Sequence, residues 1–296
     1  MKQENITILS VSDNKLAVML AALLKSVSDN HHSGEHIDYH IVSTGISRRN
    51  ITRLEKSVDP DKITIIWHQN RDVIPQGFNF PLDNTIYPIT VFTRLFAPHF
   101  IPEKVKRLLY LDVDMIVRKD ISALWYTDLQ GKHIAAVQDP MESFGGRQWA
   151  AVKNFRELGY PHETPYFNSG LLIMELDFWR KTNVTDQVFE VVRKNLEHIT
   201  YADQYGLNIV FVNNWHKLDH RWNVYATEEM DDPWLIHFIM VKPIYEHYYF
   251  SKKYASEFFA YLEKTPWKGF TPRSRLRAFI EKVKLKLWKK VKKITG

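Results

Sequence analysis

The 296-residue chain has no cysteine, which excludes a disulfide framework and a thiolate metal site and fits a reducing compartment. It has no stretch approaching the roughly 18 apolar residues of a membrane-spanning helix. The first apolar run, Ile6 to Ser10, is too short for a signal peptide, and Asp13 follows at once. The expectation is therefore a cytoplasmic protein, in which the Asn-x-Thr tripeptides at Asn5, Asn50 and Asn183 carry no sugar. Neither Gly-x-Gly-x-x-Gly nor a Walker sequence is present, so any bound diphosphate must be neutralised by metal and cationic side chains rather than a glycine loop. There is no internal repeat, and no low-complexity segment before the C-terminal tail. At 45% hydrophobic, the chain is long enough to bury the core of one large α/β domain.

What the sequence does contain is a pair of carboxylates in an apolar run, Leu108-Leu109-Tyr110-Leu111-Asp112-Val113-Asp114-Met115-Ile116-Val117. Burying one bare carboxylate is costly, and two repel unless a cation compensates them. So short an apolar run reads as a strand buried on both faces, with the acids where it leaves the sheet. At i and i+2 on extended chain their side chains can converge on one hard divalent ion, Mg²⁺ or Mn²⁺. Two solvated loop acids are the alternative reading of the tripeptide alone.

Around this run the periodicity alternates. Strands are expected at Ile6 to Ser12, Ile37 to Ser43 and Lys62 to Trp67, with helices at Leu16 to Ser28 and Ser47 to Val58. This βαβαβ rhythm predicts an α/β fold with a mostly parallel central sheet and helices on both faces. Gln69 to Asp72 reads as a polar loop, Val91 to Phe100 as a helix and Lys106 to Leu111 as the strand feeding the acids. Strands follow at His133 to Val137 and Phe167 to Glu175, a helix at Val184 to His198 and a late strand at Trp234 to Phe238. The turn Val11-Ser12-Asp13-Asn14 closes the first βα unit, where an open sheet offers a ligand crevice, although Asp13 serves equally well as a helix cap. Arg94 in an apolar helix is either a surface residue or a planar donor reaching phosphate, sugar or carboxylate. Asp139 and Asn168 follow apolar strand residues and either satisfy turns or bind a ligand. His237 lies in an apolar strand, as a core residue or a ligand. Trp215, Trp222, Tyr245, Tyr248 and Tyr249 either stack on sugar faces or fill the core.

Taken in order, Tyr110-Leu111-Asp112-Val113-Asp114-Met115-Ile116-Val117, Leu124-Trp125, Tyr166-Phe167-Asn168-Ser169-Gly170-Leu171-Leu172-Ile173-Met174, Asp203-Gln204 with Leu207-Asn208, His237-Phe238 and Lys242-Pro243 resemble the retaining glycosyltransferases of family eight. That group includes the lipopolysaccharide galactosyltransferases and the glycogenins, and the resemblance runs from about Ile6 to Pro243. It implies a GT-A type nucleotide-sugar-binding fold and a UDP-sugar donor, with a hexose, galactose before glucose, moved to a glycan acceptor on a lipid or protein. It implies that Asp112, Asp114 and His237 hold Mn²⁺, with Mg²⁺ as the alternative. Ser12, Asn14, Arg94, Asp112, Val113, Asp114, Asp139, Asn168 and Lys242 would bind the donor. Gln204 is a poor nucleophile, so the resemblance favours attack by the acceptor hydroxyl on the face from which UDP leaves; Gln204 would steady an oxocarbenium-like sugar and Asp203 would hold a hydroxyl. Three positions depart from the family pattern: Ser12 replaces an acid, Tyr205 replaces the second acid of Asp-Gln-Asp, and Met240 replaces a glycine before Lys242, with the spacing one residue shorter and the final Trp absent. These departures motivate the alternative of a non-catalytic UDP-sugar- or glycan-binding protein with the same fold.

Charge is unevenly placed. Residues 271–296 contain ten Lys or Arg and one acid, Glu281, so they carry +9 of a total of +6 and residues 1–270 carry −3. With Thr271-Pro272 as cap and first turn, Leu276, Phe279, Ile280, Val283, Leu287, Val291 and Ile294 share one helical face and Arg275, Lys282, Lys289, Lys292 and Lys293 the other. A basic amphipathic helix of this kind suits an anionic membrane surface, while a terminal helix packed on the parent domain is the alternative. The expected organisation is a catalytic domain over 1–270 and a basic helical tail over 271–296 that attaches the enzyme peripherally to the inner membrane face. Nucleic acid is not expected as a partner, because the charge is confined to one end and no nucleic-acid module accompanies it.

Overall fold

The computed structural model describes residues 4–81, 89–146, 150–199 and 201–274. Strand β1 (Ile6–Ser12) is covered on both faces, as its unbroken run ITILSVS requires. It leads into helix α1 (Ala17–Asn30), strand β2 (Ile37–Ser43), helix α2 (Arg48–Glu55, capped by the Ser47 side chain) and strand β3 (Ile63–Gln69). The expected polar loop at Gln69 to Asp72 is instead the short helix α3 (Asn70–Val73), started directly off the strand. The segment expected as one helix from Val91 to Phe100 is a 3₁₀ stretch over Ile89–Phe96 followed by α4 (Ala97–Phe100). The next elements are β4 (Arg107–Leu111), β5 (Met115–Val117), α5 (Ser122–Trp125), β6 (Ile134–Ser143) and β7 (Pro165–Glu175). After them come α6 (Leu176–Thr182), α7 (Val184–Lys194), α8 (Ala202–Val210), β8 (His216–Lys217), β9 (Val224–Tyr225), β10 (Leu235–His237) and α9 (Lys252–Leu262). Helix α7 stops at Lys194, short of the expected His198, and a 3₁₀ turn over Leu196–His198 takes its place.

The central sheet has the order β3-β2-β1-β4-β7-β6-β8. The β3-β2-β1-β4 and β6-β8 pairs are parallel and both contacts of β7 are antiparallel, so β7 alone runs against the others. The mostly parallel α/β sheet expected from the rhythm is therefore present. Side-chain alternation divides the core. Ile8, Leu109, Ala135 and Ile173 face α1, α9 and a small sheet of order β5-β10-β9, while Leu9, Leu108, Ala136 and Leu172 face the 3₁₀ stretch, α6 and α7. The late strand β10 belongs to this small sheet and not to the large one, pairing antiparallel with β5 through His237 and Met115.

Two features of this layout place the site. Asp112 to Asp114 occupy the break between β4 in the large sheet and β5 in the small one. Asp139, expected after its strand, instead lies inside β6, and Asn168 lies inside β7 as expected, where the register jumps from Ala136 opposite Leu172 to Val137 opposite Asn168. The jump takes Ser169 and Gly170 out of the β6 pairing and offers them, with Asn168, to the acids. Thr271 to Ser274 do not begin a helix. The backbone of Arg273 pairs with Ile244 and Glu246, tying the chain to the domain through that residue, and the remainder of the expected tail helix lies outside the described residues.

Candidate functional site

The carboxylates of Asp112 and Asp114 and the imidazole of His237 bring one ligand atom each to within 4.8 Å of one another. His237 Nε2 is 3.3 Å from Asp114 Oδ1 and 4.0 Å from Asp112 Oδ2. Its other nitrogen, Nδ1, lies 2.9 Å from Asn223 Oδ1, an atom that can only accept, so Nδ1 carries the hydrogen and Nε2 turns its lone pair to the acids. Asn223 in turn donates to Asn168 Oδ1 at 2.9 Å. Gly170 closes this cradle from below. A Cβ built there would lie 2.6 Å from His237 Cε1, 2.9 Å from Asn168 Oδ1 and 3.0 Å from Asp112 Oδ2, so no larger residue fits with these groups in place. Two carboxylates and an imidazole, each oriented by its surroundings, form a fitting donor set for Mn²⁺ or Mg²⁺.

Asp114 is buried and Asp112 partly exposed. Burial alone would raise the Asp114 carboxyl, but the Lys242 ammonium in direct contact with Oδ2, together with His237, outweighs it and holds the group well below the usual carboxylate range. Lys242 also donates to the backbone oxygen of Phe238 at 2.5 Å. Asp112 Oδ1 accepts from Tyr110 Oη at 2.7 Å.

Arg94 takes the carboxylate-binding reading. It is buried, its Nε 3.0 Å from Asp203 Oδ2, its Nη1 3.5 Å from Asp112 Oδ1 and donating to the Ser169 oxygen at 2.6 Å, with the guanidinium 4.2 Å from the Tyr110 ring centre. It thus ties Asp112, just past the end of β4, to Asp203 of α8. Burial pushes the Asp203 carboxyl up to about 6, against the pull of Arg94. Gln204 Oε1 accepts from Ser169 N at 2.8 Å, from Ser169 Oγ at 3.2 Å and from Asn168 Nδ2 at 3.2 Å. Asp139 Oδ2 accepts from Tyr225 Oη at 2.8 Å, and burial followed by this acid raises the Tyr225 phenol well above its ordinary value.

A cleft of about 340 Å³ opens beside the acids, lined in part by Ser12, Asp13, Thr90, Arg94, Asp112, Val113 and Asp114. Asp13 takes the capping reading, since its Oδ1 accepts from Leu16 N at 2.8 Å at the start of α1, and the residue also lines the cleft. Asn14 differs: its Oδ1 accepts from Ser47 N and Asn50 Nδ2, both at 2.9 Å, and so braces the start of α2. Tyr205 is fully buried in a third apolar cluster with Phe144 and Phe155, and its hydroxyl donates to Asn154 Oδ1. The residue replacing the family acid is therefore part of the core. Of the aromatic candidates, Trp222 is core and Tyr249 is exposed. Tyr110, Gly170, Asn223 and Tyr225 join the network without having been singled out as site residues. Tyr110 and Gly170 stand in the quoted Tyr110-Leu111-Asp112 and Asn168-Ser169-Gly170 blocks, but Asn223 and Tyr225 carry no spacing signal.

The sequence model described as Glycosyl transferase family 8 matches residues 7–251. The chain belongs to glycosyl transferase family 8. It is 25% identical over 288 residues to General stress protein A of Bacillus subtilis (strain 168), covering 90% of this chain and 96% of that one. It is 28% identical over 258 residues to Glycosyltransferase GlyA of Streptococcus pneumoniae serotype 4, covering 81% of this chain but only 34% of that protein. In three dimensions it superposes on galactosyltransferase LgtC, solved in complex with donor and acceptor sugar analogues, with a TM-score of 0.73 at 24% identity, over 90% of this chain and all of that one. This likeness establishes the GT-A type fold of the family 8 chain.

Proposed function

We propose that this family 8 glycosyltransferase moves a hexose, galactose before glucose, from a UDP-sugar to a hydroxyl of a glycan acceptor on a lipid or protein, with retention of configuration and dependence on Mn²⁺ or Mg²⁺. The observation that carries the reading is the convergence of Asp112, Asp114 and the Nε2 of His237 at the mouth of a cleft lined by Ser12, Asp13 and Arg94. A divalent cation held by these three residues would supply Lewis-acid stabilisation of the departing diphosphate.

The chain's own residues do the rest. Ser12 and Val113 line the wall for the nucleoside, and Asn14 acts there indirectly by bracing the start of α2. Arg94 holds Asp112 and Asp203 in a fixed relation, and Asp203, Asp139 and Asn168 present oxygen and amide groups to sugar hydroxyls. The acceptor hydroxyl attacks the anomeric carbon on the face from which UDP leaves. The bond to the acceptor oxygen forms as the bond to the phosphate oxygen breaks, and the hydroxyl proton passes to the leaving phosphate. No carboxylate nucleophile is needed, in keeping with an amide at Gln204. The Gln204 oxygen is committed to Ser169 and Asn168, so steadying a cationic sugar requires this amide to turn toward the cleft and release Ser169.

The test is hydrolysis of a panel of UDP-sugars with Mn²⁺, with and without chelator. Chelator-sensitive cleavage of UDP-galactose or UDP-glucose is expected. Metal-dependent UDP binding without cleavage or transfer to any acceptor would favour the non-catalytic binding protein that the departures at Ser12, Tyr205 and Met240 suggest. The basic tail over 271–296 is proposed to hold the domain on an anionic membrane, and among the described residues no helix is long and apolar enough to cross one.

A further inference from the structure

The side chain that matches the family's diphosphate-binding lysine does not point to an open cleft. Lys242 Nζ contacts Asp114 Oδ2 directly and donates to the backbone oxygen of Phe238, whose own N–H donates to the Asp114 backbone oxygen at 2.8 Å. The ammonium therefore rests on one of the three groups suited to a cation, while the other oxygen of the same carboxylate faces His237 Nε2 at 3.3 Å. Its backbone is held in place, since Pro243 and Ile244 are buried and the Lys242 oxygen accepts from Tyr245 N at 3.1 Å. Only side-chain rotation separates this position from any other the ammonium can reach. The turn before it carries Met240 at φ +58°, largely exposed.

One carboxylate cannot neutralise an ammonium and a divalent ion at once. With both on Asp114, like charges would stand across a single carboxylate in a partly buried site, where water screens them poorly. A nucleoside diphosphate resolves the conflict, because its oxygens give the ammonium a second anionic partner.

Building on the transferase reading, we propose that Lys242 is an internal counter-ion that competes with the divalent cation for Asp114, so that cation and nucleotide diphosphate load together and Lys242 passes from the carboxylate to the diphosphate as they do. In the absence of nucleotide the lysine keeps Asp114 neutralised and the cation affinity low. Loss of the ammonium removes that competitor, but it also removes a contact to the diphosphate.

The experiment is titration of Mn²⁺ alone, and then with saturating UDP, followed by electron paramagnetic resonance of free Mn²⁺. The proteins are the wild type, Lys242→Gln, Lys242→Met and the Asp112→Asn/Asp114→Asn double variant. The Met variant keeps the apolar stem, so a folding defect from loss of packing would affect Gln alone. Both Lys242 variants should bind Mn²⁺ alone about tenfold more tightly than wild type, within the usual range of coupling between sites. UDP should raise Mn²⁺ affinity by a smaller factor in the variants than in the wild type. Equal or weaker binding of Mn²⁺ alone by both variants would overturn the exchange while leaving the metal site standing. Wild-type-like Mn²⁺ binding by the double variant would instead overturn the site itself, and the exchange with it.

Discussion

At the scale of single residues, the site depends on groups that orient the ligands as much as on the ligands. Gly170 has no room for a Cβ beside His237 and Asp112, so Gly170→Ala must push the imidazole or the carboxylate aside. Displacing a metal-binding group in this way costs about tenfold to a hundredfold in affinity. We expect a loss of that size in Mn²⁺ affinity, read by titration, with thermal unfolding showing whether the variant stays folded. Asp203 gives a separate prediction. Its carboxyl rises from 3.8 to about 6 on folding, chiefly through burial, so the native state keeps a proton that the unfolded chain releases. The stability from this site is full below the unfolded value and is lost as pH rises through the folded one. Urea midpoints should therefore show a falling component between about pH 4 and 6 that is absent in Asp203→Asn; identical pH profiles would contradict the assignment. Asp112, Asp114 and His237 were legible in the sequence because acids in an apolar run demand compensation and the ordered blocks resemble a family. Asn223 and Tyr225 were not, since a buried Asn or Tyr becomes part of a site only through neighbours that folding supplies.

At the scale of elements, the site is assembled where the large sheet breaks into the small one and where β7 shifts register against β6. Helix α8 carries Asp203 and Gln204 onto that junction and packs tightly on α7 at Gly206. A Cβ at Gly206 would stand 2.8 Å from Val188 Cγ1, 3.0 Å from Val192 Cγ2 and 3.1 Å from the Val188 backbone oxygen. Gly206→Ala gains about 1 kcal/mol of helix propensity, but overpacking against backbone costs about 1–3 kcal/mol, so the helices should separate. Reduced stability in urea unfolding, with lower turnover as Gln204 shifts, is the expected result; a more stable variant would contradict the packing. The βαβαβ start was readable because β1 and β2 are short apolar runs buried on both faces, and each is followed by a helix, α1 buried nearly all round and α2 mostly polar with Leu54 turned inward. The 3₁₀ stretch carrying Arg94, the strand β5 and the helices α6, α8 and α9 were not. Short elements of this kind are fixed by tertiary contacts, such as the ion pair of Arg94 with Asp203, rather than by periodicity.

At the scale of the whole molecule, charge is divided between residues 1–270, which carry −3, and a strongly basic tail over 271–296, which carries +9, and the proposed roles in donor binding and membrane attachment divide with it. The domain includes Arg273, whose backbone bonds to Ile244 and Glu246, so the tail is best cut after residue 274. A chain lacking 275–296 should bind anionic liposomes less in a sedimentation assay while hydrolysing the donor as before; undiminished liposome binding would contradict the membrane role. The central claim is that Asp112 and Asp114, with His237, hold the cation on which sugar transfer depends. Its most direct test is turnover of the preferred UDP-sugar with Mn²⁺ by the wild type and by the Asp112→Asn/Asp114→Asn double variant, compared at equal folded concentration. Chelator-sensitive turnover in the wild type and none in the double variant is the predicted result; full metal-dependent activity in the double variant would contradict the account.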